Sequence, residues 1–330
     1  MRITEKIKNK SRDIHSYWIA DSRFSKKYAL FRSKEIVFAM LRMNKLSNLS
    51  FHKREQYIIE YLKNGIETTI EKYKSKEYIG NYIVNAPVWV CWWTGLETAP
   101  PIVKQCVKSI YRNSNNRIVN LITQENYSEF VDVPDFIMNK MVRGLMGLAH
   151  FTDYLRVCLI EKYGGLWLDA TIFCSEQLSN DYFNLPFFTL KSQYRETRFI
   201  SKYRWTTFCL GGWKHNQFFL FLKDALEEYW SKNDYAIDYL FFDYLIYLAK
   251  ENCPYIKKLM EFVPENTPHR DDLQAAMNAA LPAEQFENVI KKDTSLYKLS
   301  WRETYSEVTA DGTPSIYSFF LKLMNTGKDS

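Results

Sequence analysis

Several signals that would place this chain in a common class are missing from its sequence. No apolar run is long enough to span a bilayer: residues 239–249 form the longest one near the middle, and Asp243 interrupts it. No charged start followed by an apolar segment opens the chain, so no secretory signal is predicted. We expect no part of the protein to cross a membrane. We expect a cytoplasmic location, with peripheral contact at the inner membrane face left open.

Zinc-binding and hydrolase patterns are missing as well. The six cysteines are scattered without CxxC spacing and stand mostly in apolar segments, which favours buried reduced thiols over disulfides or a zinc site. No Ser/His/Asp or Cys/His arrangement indicates a covalent nucleophile. No internal repeat or low-complexity tract is present either.

The composition that is present describes an ordinary globular chain with an uneven charge. Its 330 residues are 46% hydrophobic and 25% charged, which is enough for one elaborated domain or two small ones. Residues 1–55 hold 14 Lys and Arg against 5 Asp and Glu, a net +9, whereas the remainder holds 30 against 33, a net −3. Such a basic start could bind anionic lipid or nucleic acid, or could form a solvated helical surface.

The spacing of apolar residues predicts helices up to about residue 82 and then alternating strands and helices. A buried strand over residues 88–92 precedes a helix that opens at Pro100-Pro101, and a second strand covers residues 117–122. This order predicts a parallel α/β unit. We predict a basic helical extension over residues 1–85 and a main domain over residues 86–330.

A second helix and strand follow, and they bring charged residues towards one place. Apolar spacing predicts a helix over residues 148–163, which Gly164-Gly165 terminates, and then a strand up to Leu168. Asp169 therefore stands at the carboxyl end of a strand, where open α/β sheets bind ligands. Two further helices are predicted over residues 217–230 and 235–250.

Three charged residues in this region form the candidate site. Asp153 and Arg156 are three apart and share one helix face, and Asp169 ends the strand that returns after the glycine turn. A sugar nucleotide presents hydroxyls and a diphosphate, which call for carboxylate acceptors and for a divalent cation with oxygen ligands. The alternative is a surface Asp–Arg pair beside an unrelated aspartate.

The pattern D-x-x-R followed by Y-G-G-x-x-x-D resembles the donor-site signature of glycosyltransferase family 32 and of the related capsular polysaccharide synthesis proteins. Residues 87–110 look like the family's opening strand, tryptophan-Gly turn and first helix. Residues 229–249 look like its acidic-aromatic helix, and residues 296–302 like its C-terminal block. The resemblance runs from about Pro87 to Arg302.

This resemblance implies a GT-A type nucleotide-sugar-binding fold, with an N-terminal helical extension and a helical C-terminal region. The nucleotide-binding core would cover about residues 86–200 and the acceptor-side region about residues 201–330. The implied reaction is transfer of a sugar from a nucleoside diphosphate sugar, UDP-linked in our prediction, to a hydroxyl of a glycan in capsule or other surface polysaccharide synthesis, with retention at the anomeric carbon. A lipid-linked oligosaccharide is the predicted acceptor.

The resemblance also implies roles for individual residues. The predicted catalytic residues are Asp153, Asp169 and Asp243, and the predicted donor-binding residues are Trp93, Thr94, Asp153, Arg156, Asp169, Ala170, Lys298 and Ser300. A Mn²⁺ or Mg²⁺ ion is predicted on Asp169, Thr171 and His269. The usual strand motif of the family is Asp-x-Asp, but Thr171 replaces its second carboxylate here, which weakens the case for a metal.

The sequence leaves some residue roles and two alternative functions open. Either Asp238 or Asp243 could contact the acceptor, His150 could touch ligand, and His215 is expected in a turn. The first alternative function is a catalytically silent carbohydrate- or nucleotide-binding protein on the same fold. The second is a nucleic-acid-binding protein that uses the basic start, although we expect no nucleic-acid partner.

Overall fold

The computed structural model describes residues 24–280 and 286–323, together with residues 15, 17–19 and 21–22. Residues 1–14, which carry part of the predicted basic extension, lie outside the described residues. The α/β class predicted from the sequence is confirmed, with helices before and after a central sheet.

Residues 17–19 and 21–22 are helical, and the helices α1 (Lys26–Met40), α2 (Asn44–Gly65) and α3 (Glu67–Tyr73) follow them before the sheet. The Ser25 side chain begins α1 by accepting a hydrogen bond from the amide of Tyr28, which satisfies one of the free donors at a helix start. The two longer helices pack together as a hairpin. Buried side chains of these helices, among them Tyr28, Ile58 and Leu62, belong to the same apolar core as the sheet.

A five-stranded sheet forms the centre. Its strands, in the spatial order β2-β1-β3-β6-β5, are β2 (Val119–Ile122), β1 (Val88–Cys91), β3 (Gly165–Leu168), β6 (Cys209–Gly212) and β5 (Phe187–Thr189). Strand β1 is parallel to β2 and β3, as the strand–helix–strand order predicts. Strand β6 is antiparallel to both of its neighbours. A separate ribbon pairs β4 (Ile172–Cys174) with β7 (Leu296–Lys298) in antiparallel register.

Helices cover the sheet and complete the chain. Those between β1 and β3 are α4 (Pro101–Arg112), α5 (Tyr127–Phe130), α6 (Asp135–Val142) and α7 (Leu148–Tyr163). The later ones are α8 (Asp181–Asn184), α9 (Gln217–Lys232), α10 (Phe241–Asn252), α11 (Pro254–Glu261), α12 (Asp272–Ala276), α13 (Phe286–Val289) and α14 (Ile316–Leu323). Helix α7 has the predicted bounds.

The helix predicted over residues 235–250 begins six residues later than expected, at Phe241. The carboxylate of Asp238 accepts a hydrogen bond from the amide of Leu240 at 2.9 Å, and its carbonyl accepts one from the amide of Phe241. These bonds make a turn that competes with helix. Asp238 therefore precedes the helix that carries Asp243, whereas both were predicted to lie on one helix.

The six cysteines are free, and five of them are buried, as expected for reduced thiols in apolar segments. No helix in the described ranges is long and apolar enough to cross a bilayer.

Candidate active site

A two-glycine turn fixes the geometry of the site by joining α7 to β3. Gly164 and Gly165 have φ values of 70° and 102°, which L side chains rarely adopt. A Cβ at Gly165 would lie 2.1 Å from the carbonyl oxygen of Pro87, so only glycine allows β3 to pair this closely with β1. The turn folds the end of β3 back beside α7 and brings Asp169 to the face that carries Asp153 and Arg156.

The guanidinium of Arg156 holds both carboxylates. Its Nη1 donates to Oδ1 of Asp153 at 2.6 Å, and its Nη2 donates to Oδ1 of Asp169 at 3.2 Å. The side chain is only 6% exposed, and the guanidinium carbon lies 4.8 Å from the centre of the Trp167 ring. A planar cation packed on an indole and bonded twice is held in one orientation. Arg156 therefore positions the two aspartates relative to each other.

Lys298 enters the site from β7. The ribbon places Lys298 opposite Ile172, next to the Asp169-Ala170-Thr171 segment. Its ammonium donates to Oδ2 of Asp169 at 2.9 Å and to the Thr171 hydroxyl at 2.7 Å. A fixed positive charge thus lies on the oxygens predicted to hold a divalent cation.

Two neighbouring cations favour the ionised form of Asp169 although the residue is partly buried. Burial disfavours its ionised form, but Lys298 and Arg156 more than compensate and lower the pKa of Asp169 below the usual value. The indole N–H of Trp167 adds a hydrogen bond to Oδ1 at 3.0 Å. Asp169 is accordingly ionised at neutral pH, and its carboxylate remains 29% exposed while Lys298 is 26% exposed. A ligand can therefore reach this pair.

Asp243 faces the same cluster from α10. Its Oδ1 accepts a hydrogen bond from the indole N–H of the buried Trp205 at 2.9 Å. Burial raises the pKa of Asp243 to about 7; the Trp205 hydrogen bond and Arg156 oppose this rise, and the Asp153 carboxylate adds to it. A carboxyl that changes charge near neutral pH beside the cluster is able to donate or accept a proton there.

The raised pKa of Asp243 gives a stability prediction. Between about pH 4 and pH 7 the folded chain keeps a proton that the unfolded chain has lost, so the contribution of this group to stability falls as pH rises through that range. Asp243→Asn keeps the hydrogen-bond acceptor for Trp205 without the charge. We expect it to raise the free energy of unfolding at pH 8 by on the order of 2–4 kcal/mol, and by little at pH 4.

Urea unfolding at pH 4, 6 and 8 measures this difference. Asp234→Asn is the matched control, because Asp234 is exposed and its pKa is lowered by Lys140. The control should gain no stability at pH 8. An equal gain for Asp243→Asn at all three pH values would contradict the assignment.

The tryptophans in β1 and directly after it have different surroundings. Trp89 is buried in the core and donates to the carbonyl of Gly164. Trp93, one of the predicted donor-binding residues, is half-buried, and its ring lies 5.3 Å from that of Tyr127 and 5.4 Å from that of Phe151. Trp92 instead meets Trp301 at 5.8 Å. The Trp93 ring therefore packs against two aromatic rings and remains partly exposed to solvent.

Four other predicted site residues are placed as follows. Thr94 is exposed in the turn after Trp93, and Ala170 is buried between Asp169 and Thr171. The amide of Ser300 donates to the side chain of Gln274 at 2.7 Å. His269, the third predicted metal ligand, contacts Asp272 at 2.7 Å and Asp293 at 3.8 Å, and neither it nor Ser300 bonds to Asp169 among the described contacts.

The remaining candidates are separate from the cluster or beside it. Asp238 binds Arg54 and the hydroxyl of Tyr28, which uses its carboxylate to attach the N-terminal hairpin. His150 lies 3.8 Å from Asp153 and so borders the cluster. His215 stands in a turn, as predicted, and bonds to Glu161.

Sequence reasoning missed the aromatic and basic residues that support the charges. Trp167 and Trp205 each donate an indole N–H to a site carboxylate, and Phe208 packs under the ammonium of Lys298 at 4.9 Å. Arg270 packs against the same ring at 5.7 Å, and its carbonyl accepts the amide of Lys298. The alternation in L-W-L-D offered a signal for Trp167, but no local pattern indicates the other three.

The residues present do not form a divalent-cation site on their own. Asp169 contributes one carboxylate, and two protein cations already neutralise it. No group of three or more His, Cys, Asp or Glu that could hold a metal occurs among the residues the structure describes. The ion predicted on Asp169, Thr171 and His269 stays a prediction.

Comparisons with known proteins give a family match and a likeness to a solved structure. Residues 39–320 match the sequence profile of a family described as "Capsular polysaccharide synthesis protein". A solved structure titled "PaToxG Glycosyltransferase" aligns at a TM-score of 0.37 and 14% identity, covering 65% of this chain and 83% of that chain. No curated protein matches the chain.

Proposed function

This chain belongs to the capsular polysaccharide synthesis protein family, and on that premise we propose that it is a glycosyltransferase of the GT-A type. The donor is a nucleoside diphosphate sugar, with UDP as the first choice. The acceptor is a hydroxyl of a growing surface glycan, either free or lipid-linked. Retention at the anomeric carbon and the relation to glycosyltransferase family 32 stay predictions from the resemblance.

One observation supports the proposal most: two carboxylates and two fixed cations converge at the carboxyl end of β3. Open α/β sheets bind ligands at this edge. The oxygens of Asp153 and Asp169 suit sugar or ribose hydroxyls, which donate hydrogen bonds. The ammonium of Lys298 suits a diphosphate. Arg156 is almost wholly buried and holds the two aspartates in place, so we assign it a positioning role.

The reaction needs charge stabilisation more than a strong nucleophile. The bond between the anomeric carbon and the diphosphate oxygen breaks, and its electron pair leaves with the phosphate. The acceptor oxygen then forms a bond to the anomeric carbon and loses its proton to the leaving phosphate. Negative charge develops on the diphosphate oxygens, where a preoriented cation has its largest effect on rate. Lys298 lies at this position in our proposal.

Asp243 is proposed to act on the acceptor side. One of its oxygens accepts the Trp205 indole N–H, which leaves the other available to an acceptor hydroxyl. Its carboxyl lies close enough to Asp153 and Arg156 for their charges to shift its pKa. It would orient the hydroxyl beside the donor sugar.

Binding of the donor can be measured directly. Because a ligand at 100 times its Kd adds about 2.7 kcal/mol to stability, a matching nucleoside diphosphate sugar should raise Tm by a few degrees. We expect one diphosphate sugar to do so, and the corresponding nucleoside monophosphate to have a much smaller effect. Thermal shift with UDP-, GDP- and CDP-sugars, with and without chelator, is the measurement. No shift with any diphosphate sugar would argue against a donor site.

The threonine at position 171 favours a second candidate function. In this alternative the chain is a catalytically inactive binding protein that has lost the second carboxylate of the motif. That protein would show the same thermal shift but would neither hydrolyse nor transfer the sugar. Release of free nucleoside diphosphate over hours, followed by chromatography, separates the two functions.

A further inference from the structure

The turn between α1 and α2 exposes several large apolar side chains close together in sequence. Leu41 is 62% exposed and Leu49 is 50% exposed, and Met43 and Leu46 between them are exposed too. These residues lie within the segment 41–49, which we call the hairpin tip. Exposed single apolar residues are common, but four within nine residues, around one turn and the start of α2, are not explained by the fold.

The apolar surface continues along one side of α1. Leu30, Val37 and Leu41 are separated by seven and four residues, so they lie on one helix stripe, and all three are exposed. Tyr28 and Glu35 lie on the opposite side of α1 and are buried. The outward stripe therefore has no partner within the described part of the chain.

Lys and Arg residues alternate with these apolar residues in the sequence, and the one acidic residue in this segment is buried. Between residues 24 and 54 the sequence has eight Lys and Arg but a single acid, Glu35. Glu35 is buried and bonded to Arg54 and Arg198. Exposed cations without an acidic partner among the described residues are Lys26, Lys34, Arg42, Lys45 and Lys53.

The hairpin is firmly attached to the body that carries the candidate site. Arg54 of α2 donates to Asp238 at 2.8 Å, and the Tyr28 hydroxyl of α1 donates to the same carboxylate at 2.6 Å. Arg198 joins Glu35 to the loop that leads to Trp205, the partner of Asp243. If the tip bound a surface, the candidate site would therefore lie at a fixed distance from that surface and in a fixed orientation to it.

We propose that the hairpin tip docks this protein onto an anionic lipid bilayer. Leu41, Met43, Leu46 and Leu49 enter the boundary between headgroups and acyl chains, and the surrounding Lys and Arg bind the anionic headgroups. Nucleic acid would satisfy the cations but offers no burial for the leucines. A second copy of the chain would cover the leucines but would bring like charges together. The proposal does not depend on the sugar-transfer function.

Vesicle binding by the full chain tests the proposal. We expect binding to vesicles of phosphatidylglycerol with phosphatidylcholine at 0.15 M salt, and none to phosphatidylcholine alone. Leu41→Gln with Leu49→Gln should weaken binding at least about tenfold, because two buried side chains are lost. Arg42→Gln with Lys45→Gln should weaken it about fivefold for each cation removed, and raising the salt should imitate that loss.

The matched control removes two apolar residues elsewhere that are at least as exposed as Leu41 and Leu49. Val142 and Phe262 are exposed at the ends of α6 and α11, and their Gln variants should bind vesicles as the wild type does. Circular dichroism melts confirm that every variant is folded. Unchanged vesicle binding by the tip variants, or an equal loss in the control, would overturn the proposal. So would tighter binding to a DNA duplex, or a dimer that the leucine substitutions dissociate.

Discussion

Replacing Asp169 with Asn is expected to lower sugar transfer by about 100-fold or more while the fold is kept. The amide preserves the shape and can still accept the indole N–H of Trp167, but it leaves Lys298 and Arg156 without their shared counter-charge. The two cations then lose the orientation that the carboxylate imposes on them. Initial rates with the donor found by thermal shift give the size of the loss.

Two controls make the Asp169 result specific. Asp234→Asn removes an exposed carboxylate that is paired only with Lys140, and it should leave the rate within about twofold of the wild type. Near-UV circular dichroism should be the same for all three proteins. Near-normal turnover by a folded Asp169→Asn protein would remove this residue from the site.

Lys298→Ala should produce a second large loss, on the order of 100-fold in kcat/KM for the donor. A charge-assisted contact to the diphosphate contributes about 1.5–3 kcal/mol, and more where charge develops during the reaction. Lys298→Arg should recover part of this loss, because the positive charge returns with a different shape. Lys72→Ala, which removes an exposed ammonium from Asp224, is the control and should have little effect.

Activity in a chelator shows whether Lys298 or a divalent cation neutralises the charge of the diphosphate. If Lys298 supplies the charge, the wild type should keep its activity in excess chelator. Lys298→Ala, which frees Asp169 and Thr171, should then regain some activity when Mn²⁺ is added. Complete loss of wild-type activity in chelator would show that a divalent cation is required and that Lys298 does not replace it.

The main elements of the fold could be predicted because they are encoded by local spacing. Helix α7 follows an apolar stripe that ends at Gly164, and the strands on either side of it are short apolar runs with clear breaks. The parallel pairing of β1 with β2 and β3 follows from the helices between them. The antiparallel strand β6 was not predicted, because two of its four residues are glycine, a residue that is rare in strands.

The site could be predicted only in part, because some of its contacts join residues that are far apart in the sequence. Asp153, Arg156 and Asp169 lie within 17 residues of one another, and their contacts follow from one helix, one turn and one strand. Lys298 reaches Asp169 across 129 positions through the β4–β7 ribbon. The resemblance indicated that Lys298 binds the donor, but its bond to Thr171 depends on register that no local pattern contains.

The buried contact of Arg54 and Tyr28 with Asp238 limits how short a recombinant version of this protein can be made. A gene fragment that starts after residue 55 would lack both partners and so lose the ion pair and the hydrogen bond that attach the hairpin to the body. It would also uncover the apolar side chains that α1 and α2 now shield. Such fragments should accumulate in inclusion bodies, whereas a fragment that begins just before Ser25 should still be recovered from the lysate in folded form.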